Sequence, residues 1–328
     1  MEVLMMTKLS RAFWALLLIL TAGFLQAEPL KIAYSYWPGW VAWDVAEKNG
    51  FFKAEGAYVQ LLWFDYVPSM DAFAAGKVDA VSVTNGDALV LGATGARSVM
   101  ILLNDYSNGN DMIVAKAGIS SVKDLKGKKV GVEIGFVDHL LLLKALQLNG
   151  LKESDVTLVP MATNDAAQVL GSGQVDAVAA WQPNSGQALK TVKGSKAIFT
   201  SADVPGLIFD ALAVSPSSLT KNKAAWAKVV KAWYKTVDFI LDPKNEKEVL
   251  DILSARVNLK PAEYAGLLKG THLLTLAEAK KAFVKAAGLE SVYGSSQLVD
   301  GFNTANKVYD EAQKIDTYFD PSFVAALK

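Results

Sequence analysis

The 328-residue sequence contains no cysteine. That excludes a disulfide framework, thiolate metal sites, thiol catalysis and a lipid carried on cysteine after a leader. Histidine is nearly as scarce, with only His139 and His272, far apart in the chain. The patterns G-x-S-x-G, H-E-x-x-H and G-x-x-x-x-G-K-[ST] are all missing, so the common hydrolase, zinc-protease and nucleotide-binding signatures find no support. Net charge is lacking too. The 33 basic residues balance 33 acidic ones, which gives nucleic acid or an anionic membrane no electrostatic hold. Beyond the N-terminal region, no stretch approaches the ~20 apolar residues that span a bilayer. What remains is an ordinary globular composition, 52% hydrophobic and 20% charged, in a chain long enough for two domains or lobes.

The first feature present is a processing signal. Lys8 and Arg11 precede an apolar stretch from Ala12 to Leu25, followed by Gln26-Ala27-Glu28. A basic start, a short apolar core and a small residue before polar sequence predict a secretory signal peptide over 1–27, cleaved near Ala27. The expected destination, for an exported chain without a lipid, is the periplasm of a bacterium with two membranes.

The second feature is an internal repeat. Gly76-Lys-Val-Asp-Ala-Val81 returns as Gly173-Gln-Val-Asp-Ala-Val178, and Lys31-Ile-Ala-Tyr34 has its counterpart in Lys129-Val-Gly-Val132. Each opening strand leads through a loop to a helix ending at Asn49-Gly50 or Asn149-Gly150, where glycine suits a left-handed C-cap. Second strands follow at 58–64 and 156–160, short helices at 69–75 and 165–170, and third strands at the two Val-Asp-Ala-Val copies. Strands alternating with helices predict two similar α/β units, each with a largely parallel sheet. Asp79 and Asp176, repeated within the copies, read as structural turn residues. Phe209–Val214 reads as a further strand. Beyond it, Trp226, Val229, Val230, Trp233 and Val237 recur at helical spacing, as expected of a helix packed on the first unit. The expected organisation is a first lobe of 28–108 plus 206–328, a second lobe of 109–205 inserted into it, and two hinge crossings.

Asn49-Gly-Phe-Phe-Lys53, Ala75-Gly-Lys-Val-Asp-Ala80, Ser121-Val-Lys-Asp-Leu-Lys-Gly-Lys-Lys-Val130 and Trp181-Gln-Pro183 together carry a family likeness. From about residue 30 to 240 the chain resembles periplasmic solute-binding proteins of ABC importers, in the nitrate/sulfonate/taurine and thiamine-precursor (NMT1/THI5-like) group. The resemblance implies a bilobal α/β fold of the periplasmic-binding-protein type (type II-like) with a helical C-terminal tail. It also implies a monomer that captures one small-molecule solute, without a cofactor, for a membrane permease and its cytoplasmic ATPase.

In open α/β sheets, ligands lie beyond the carboxyl ends of the strands. That rule selects the loops 34–44, 63–71, 84–95, 133–143 and 181–189, together with the crossings at 104–115 and 200–215. None of these segments contains Lys or Arg, yet they hold ten carboxylates. Helix first turns favour acids, but a complete absence of cations also favours a positively charged solute. The repeat places Ser35–Trp40 opposite Glu133–Asp138, so rings in one lobe face carboxylates in the other. Cation–π contact contributes about 0.5–2 kcal/mol per ring, and a planar fork donor can pair with a carboxylate through two bonds. The expected ligand contacts are Tyr36, Trp37, Trp40, Asp65, Asn85, Asp87, Glu133, Asp138, Trp181 and Asp210. Trp43 is expected in the core. Asp138 reads equally as the N-cap of the helix that follows it, and Asp210 as a hydrogen-bond partner in the hinge. The expected solute is a small planar cationic or amide-like nitrogen compound, guanidinium first, with an aminopyrimidine and then a sulfonate or nitrate as alternatives. No enzyme is expected, and a sensor domain that presents its ligand to a receptor reads the same in sequence.

Overall fold

The structure is a computed structural model that describes residues 28–328, so the expected signal peptide at 1–27 lies outside it. The first lobe opens with β1 (Leu30–Tyr34), α1 (Ala42–Lys48), α2 (Phe51–Ala54) and β2 (Val59–Trp63). It continues through α3 (Tyr66–Ala74), β3 (Ala80–Thr84), α4 (Asn85–Ala93) and β4 (Val99–Ser107). The second lobe comprises β5 (Asp111–Ala115), β6 (Lys129–Val132), α5 (Val137–Leu148), β7 (Thr157–Pro160), α6 (Ala166–Ser172), β8 (Ala177–Trp181), α7 (Asn184–Thr191) and β9 (Lys196–Thr200). The chain then returns with β10 (Phe209–Val214) and ends in a mostly helical region. That region holds α8 (Pro216–Lys221), α9 (Lys223–Leu241), α10 (Glu246–Arg256), α11 (Pro261–Lys269), β11 (Thr271–Leu273), α12 (Leu276–Ala282), α13 (Val292–Ala305) and α14 (Ser322–Ala325).

The six-stranded first sheet runs β11-β4-β10-β3-β1-β2 and the five-stranded second sheet runs β7-β6-β8-β5-β9. Both are mixed rather than largely parallel. β1 pairs in parallel with β2 and β3, and β6 with β7 and β8, but β10 and β5 run antiparallel to their neighbours. The reason is the route of the chain. β1, β3, β6 and β8 run toward the junction of the lobes, whereas β5 and β10 have just crossed it and start there. The crossings, at 108–110 and 201–208, are tied together by Ser107 and Ser201, whose hydroxyls lie 2.6 Å apart.

Position in the sheet matches sequence pattern. β3 (AVSVT) and β8 (AVAAW), interior strands covered on both faces, are continuous small or apolar runs buried at every residue. The repeated aspartates sit just before these strands. Asp79 accepts the Lys31 amide and Asp176 the Lys129 amide, each at 2.9 Å, so the third strands begin two residues later than the Val-Asp-Ala-Val copies. The apolar stripe of α9 is buried, and Trp233 packs on Trp43 with ring centroids 4.3 Å apart. Trp43 is fully buried in that core, as its place within α1 leads one to expect.

Candidate ligand-binding site

The loop after β1 is shaped by three anchors. Trp37 accepts the Trp40 and Val41 amides through its carbonyl, which coils residues 37–41 into a turn ahead of α1. Tyr264 of α11 donates to the Pro38 carbonyl at 2.9 Å, and the Trp37 indole donates to Asp105 Oδ1 of β4, also at 2.9 Å. Gly39 is required here because a Cβ would fall on the Asp105 carboxylate. The tight Pro-Gly turn thus lets a buried carboxyl group pack directly on backbone.

Four aromatic rings close into a circuit at the junction of the lobes. Trp37 and Trp40 are 6.4 Å apart, Trp40 stacks on Tyr66 at 5.2 Å, Tyr66 meets Trp181 edge-on at 6.0 Å, and Trp181 returns to Trp37 at 6.4 Å. Three rings belong to the first lobe and Trp181, the last residue of β8, to the second. They enclose a cavity of about 10 Å³, whose wall also includes Thr84, Asp111, Val137 and Asp210. That volume is close to the minimum for one water.

Carboxylates crowd around the rings. Asp87, Asp105, Asp111 and Asp210 are each at most 2% exposed, and among the described residues none is ion-paired with Lys, Arg or His. Asp105 and Asp210 are direct partners across β4 and β10. Burial pushes the pKa of Asp105 and Asp111 up to about 7 and that of Asp87 up to about 6. Burial and the neighbouring Asp105 and Asp111 push Asp210 well above the carboxylate range. Desolvation disfavours the charged form of each group, and like charges beside Asp105, Asp111 and Asp210 add to the effect. Among the described residues no set of acidic or histidine side chains is arranged to hold a metal ion.

The structure brings Trp37, Trp40, Trp181 and Asp210 together at the cavity wall, with Asp87 directly behind, where its Oδ2 accepts the Tyr66 hydroxyl at 2.6 Å. The other expected contacts lie elsewhere. Tyr36 packs edge-on against Trp63 at 4.7 Å and lines a separate surface groove beside Gln182 and Val257. Asn85 is committed to the first lobe, donating to Ser295 and Ser296 and accepting the Phe209 amide. Asp65 is exposed and Glu133 half-buried, and they share an outer groove of about 410 Å³ that borders the cage at Tyr66 and Trp181. Burial and the charges of Asp87 and Asp65 raise Glu133 to about 7. Asp138 is not the N-cap of α5, a position held by Phe136; it is fully buried and accepts the Thr163 hydroxyl. Asp44, one of the ten loop carboxylates, is bound by Tyr34 and by Arg256 of α10. Tyr66, Asp105 and Asp111 complete the site; no sequence signal marks them individually, although all three fall in the selected loops and crossings.

A profile of the family described as NMT1/THI5 like matches residues 38–246. The chain belongs to the NMT1/THI5-like family. Its relatives include a Brucella abortus (strain 2308) protein named as a binding protein, 27% identical over 325 residues, which span 96% of this chain and 99% of that protein. The periplasmic aliphatic sulphonate binding protein SsuA from Escherichia coli has the same fold, with a TM-score of 0.72 at 21% identity over 89% of this chain and 97% of that one. The desulfurization enzyme DSZB also shares the fold, with a TM-score of 0.65 at 15% identity over 90% of this chain and 98% of that one. The NMT1/THI5-like match includes Trp40, Tyr66, Trp181 and all four buried carboxylates, and begins one residue after Trp37.

Proposed function

We propose that this NMT1/THI5-like chain is the solute-binding component of an ABC importer, delivering to a membrane permease from the periplasm. We propose further that the aromatic cage captures a small planar nitrogen cation, with guanidinium the named candidate. One observation carries the ligand reading: four buried carboxylates stand around four aromatic rings, and among the described residues no basic side chain pairs with them. A planar cation meets ring faces and carboxylate edges together. The rings come from both lobes, so the site is complete only when the lobes meet. The two crossings at 108–110 and 201–208 are the hinge this requires. The closed cavity has room for about one water, so a cation of even four heavy atoms enters with the lobes parted and is held with them further apart than they stand here.

A sulfonate is the second reading. It is favoured by the relatives from Escherichia coli and Bacillus subtilis named for aliphatic sulfonates and by two cavity-lining indole N–H groups, of Trp40 and Trp181, that lack acceptors among the described residues. The carboxylates oppose it, since an anion binds beside them only in their protonated form. An enzymatic reading draws on the fold shared with DSZB. Against it, neither histidine lines the cavity: His139 accepts the Gly135 amide, and His272 stacks on Tyr106 beside Glu278.

Thermal shift of the exported chain with guanidinium, urea, taurine and nitrate decides among these. A ligand at a hundred times its dissociation constant stabilises by about 2.7 kcal/mol. Guanidinium is expected to raise the melting temperature, with affinity increasing from pH 5 to pH 8 as the carboxyl protons leave. A shift with taurine and none with guanidinium overturns the cation reading.

A further inference from the structure

The cage has four polar handles and the fold uses two. The Trp37 indole donates to Asp105 and the Tyr66 hydroxyl to Asp87. Among the described residues, the indole nitrogens of Trp40 and Trp181 have no acceptor, although both rings are at most 3% exposed and both line the cavity. Trp233 also has an unpartnered indole, but it is packed against Trp43 in the first-lobe core, away from the cavity. On the same wall, Asp111 Oδ2 is a buried acceptor without a partner among the described residues, and Asp210 Oδ2 has only the neighbouring Asp105 carboxyl, with which it can share a proton. The site therefore offers free donors and free acceptors at once.

That combination discriminates among ligands. Guanidinium carries N–H groups only: it satisfies Asp111 and Asp210 and leaves both indoles bare. A sulfonate carries acceptors only, so it meets Asp111 and Asp210 only while they are protonated and leaves them bare once they ionise. A buried donor or acceptor that loses its water and gains no partner is costly.

We infer that the ligand class is a planar cation carrying an acceptor within the same conjugated plane, such as an acylated guanidinium. Its N–H edge meets Asp111 and Asp210, and its carbonyl accepts from Trp40 and Trp181. The inference rests on the cation-binding reading and narrows it. Trp40 and Trp181 then act as specificity residues through their N–H groups as well as their faces.

Isothermal titration of the exported chain at pH 7.5 with guanidinium, urea and guanylurea tests this. Guanylurea combines a guanidinium with a conjugated carbonyl, guanidinium lacks the acceptor, and urea lacks the charge. Guanylurea is expected to bind about tenfold or more tightly than guanidinium, with urea weakest, since one satisfied donor corresponds to roughly that factor. Trp40→Phe and Trp181→Phe keep a ring and delete the N–H. Each is expected to weaken both ligands, because phenyl is a poorer face for a cation than indole, and to weaken guanylurea about tenfold more than guanidinium. Melting curves report whether a variant is folded, and either variant suffices. If guanidinium matches guanylurea on the unsubstituted protein, the acceptor inference falls and the cation reading stands. Equal losses for both ligands in the Phe variants show the indoles acting only as rings, which also overturns it. If neither cation binds, both readings fall.

Discussion

The two lobes start alike and finish differently. In each, an aspartate just ahead of β3 or β8 accepts the amide of a lysine near the start of β1 or β6, Asp79 with Lys31 and Asp176 with Lys129. The aspartate's own amide returns a bond to that lysine's carbonyl in both copies. Beyond the carboxyl ends of the strands the likeness stops. Thr84 and Trp181 both end a third strand and both line the cavity. Thr84 is spent capping α4 by accepting the Asp87 amide, whereas Trp181 is the fourth ring of the cage. Residues 35–40 supply two more rings, while their counterparts 133–138 supply Glu133 and Asp138, which share the Thr163 hydroxyl outside the cage. The repeated residues hold the frame, and the aromatic cage proposed for recognition lies where the copies diverge.

The largest expected effect comes from closing two acidic lobes on each other. Asp111 of the second lobe raises Asp105 and Asp210 of the first, and Asp87 of the first raises Glu133 of the second. For these groups the folded pKa lies above the unfolded value, about 7 against 3.8 for Asp105 and Asp111. The folded state therefore binds more protons between those values, and stability falls as pH rises through that window. A tenfold difference in proton affinity between folded and unfolded states corresponds to about 1.4 kcal/mol. The ligand-free protein is expected to melt several degrees lower at pH 8 than at pH 5, and Asp111→Asn to flatten that slope. A melting temperature that rises from pH 5 to pH 8 in the ligand-free protein contradicts the account of the acidic cluster. A bound cation is expected to reverse the trend, because it favours the ionised carboxylates.

The frame is legible in the sequence because a repeat and an apolar period report burial directly. Element order, the core placement of Trp43 and the three cage tryptophans all follow from strand ends and spacing. Tyr66 is harder, because α3 starts three residues before its apolar pattern and Tyr66 reads as loop. Asp105 and Asp111 lie in or beside the crossing between lobes, where spacing does not separate a buried carboxylate from an exposed one. Asn85 has the place of a ligand contact beyond β3, and only tertiary structure reveals the serines of α13 that occupy it. Alternating strands and helices overstate the parallel character of the sheets, because strand direction depends on which strands have just crossed.

A second effect compares one residue type in the two loops that differ. Gly39 packs on the Asp105 carboxylate, whereas Gly135 has open space around its missing side chain and a φ of +89°. Gly39→Ala drives a methyl into a packed carboxyl group, so a loss of about 1–3 kcal/mol and of ligand binding is expected. Gly135→Ala meets only backbone strain, about 1 kcal/mol, with binding retained. Urea denaturation and titration calorimetry of the two variants measure both quantities. If the two cost the same, the Pro38-Gly39 turn is not held by its contact with Asp105.

The smallest effect concerns the feature the lobes share. Asp79→Ala and Asp176→Ala each leave an amide near the start of a strand without its side-chain acceptor, at a cost of about 1 kcal/mol where water cannot replace it. The Asp79 bond to Lys31 is partly buried and the Asp176 bond to Lys129 is exposed. Water can serve the Lys129 amide more readily, so Asp79→Ala is expected to cost more, and the difference to be a few tenths of a kcal/mol or larger. Because the aspartates sit in separate sheets with no shared partner, the double variant should be additive. Urea midpoints of the three variants at constant slope give these values. A larger loss for Asp176→Ala, or clear non-additivity, means that the lobes do not stand on independent frames. The likeness between the halves would then have to act through their interface rather than within each sheet.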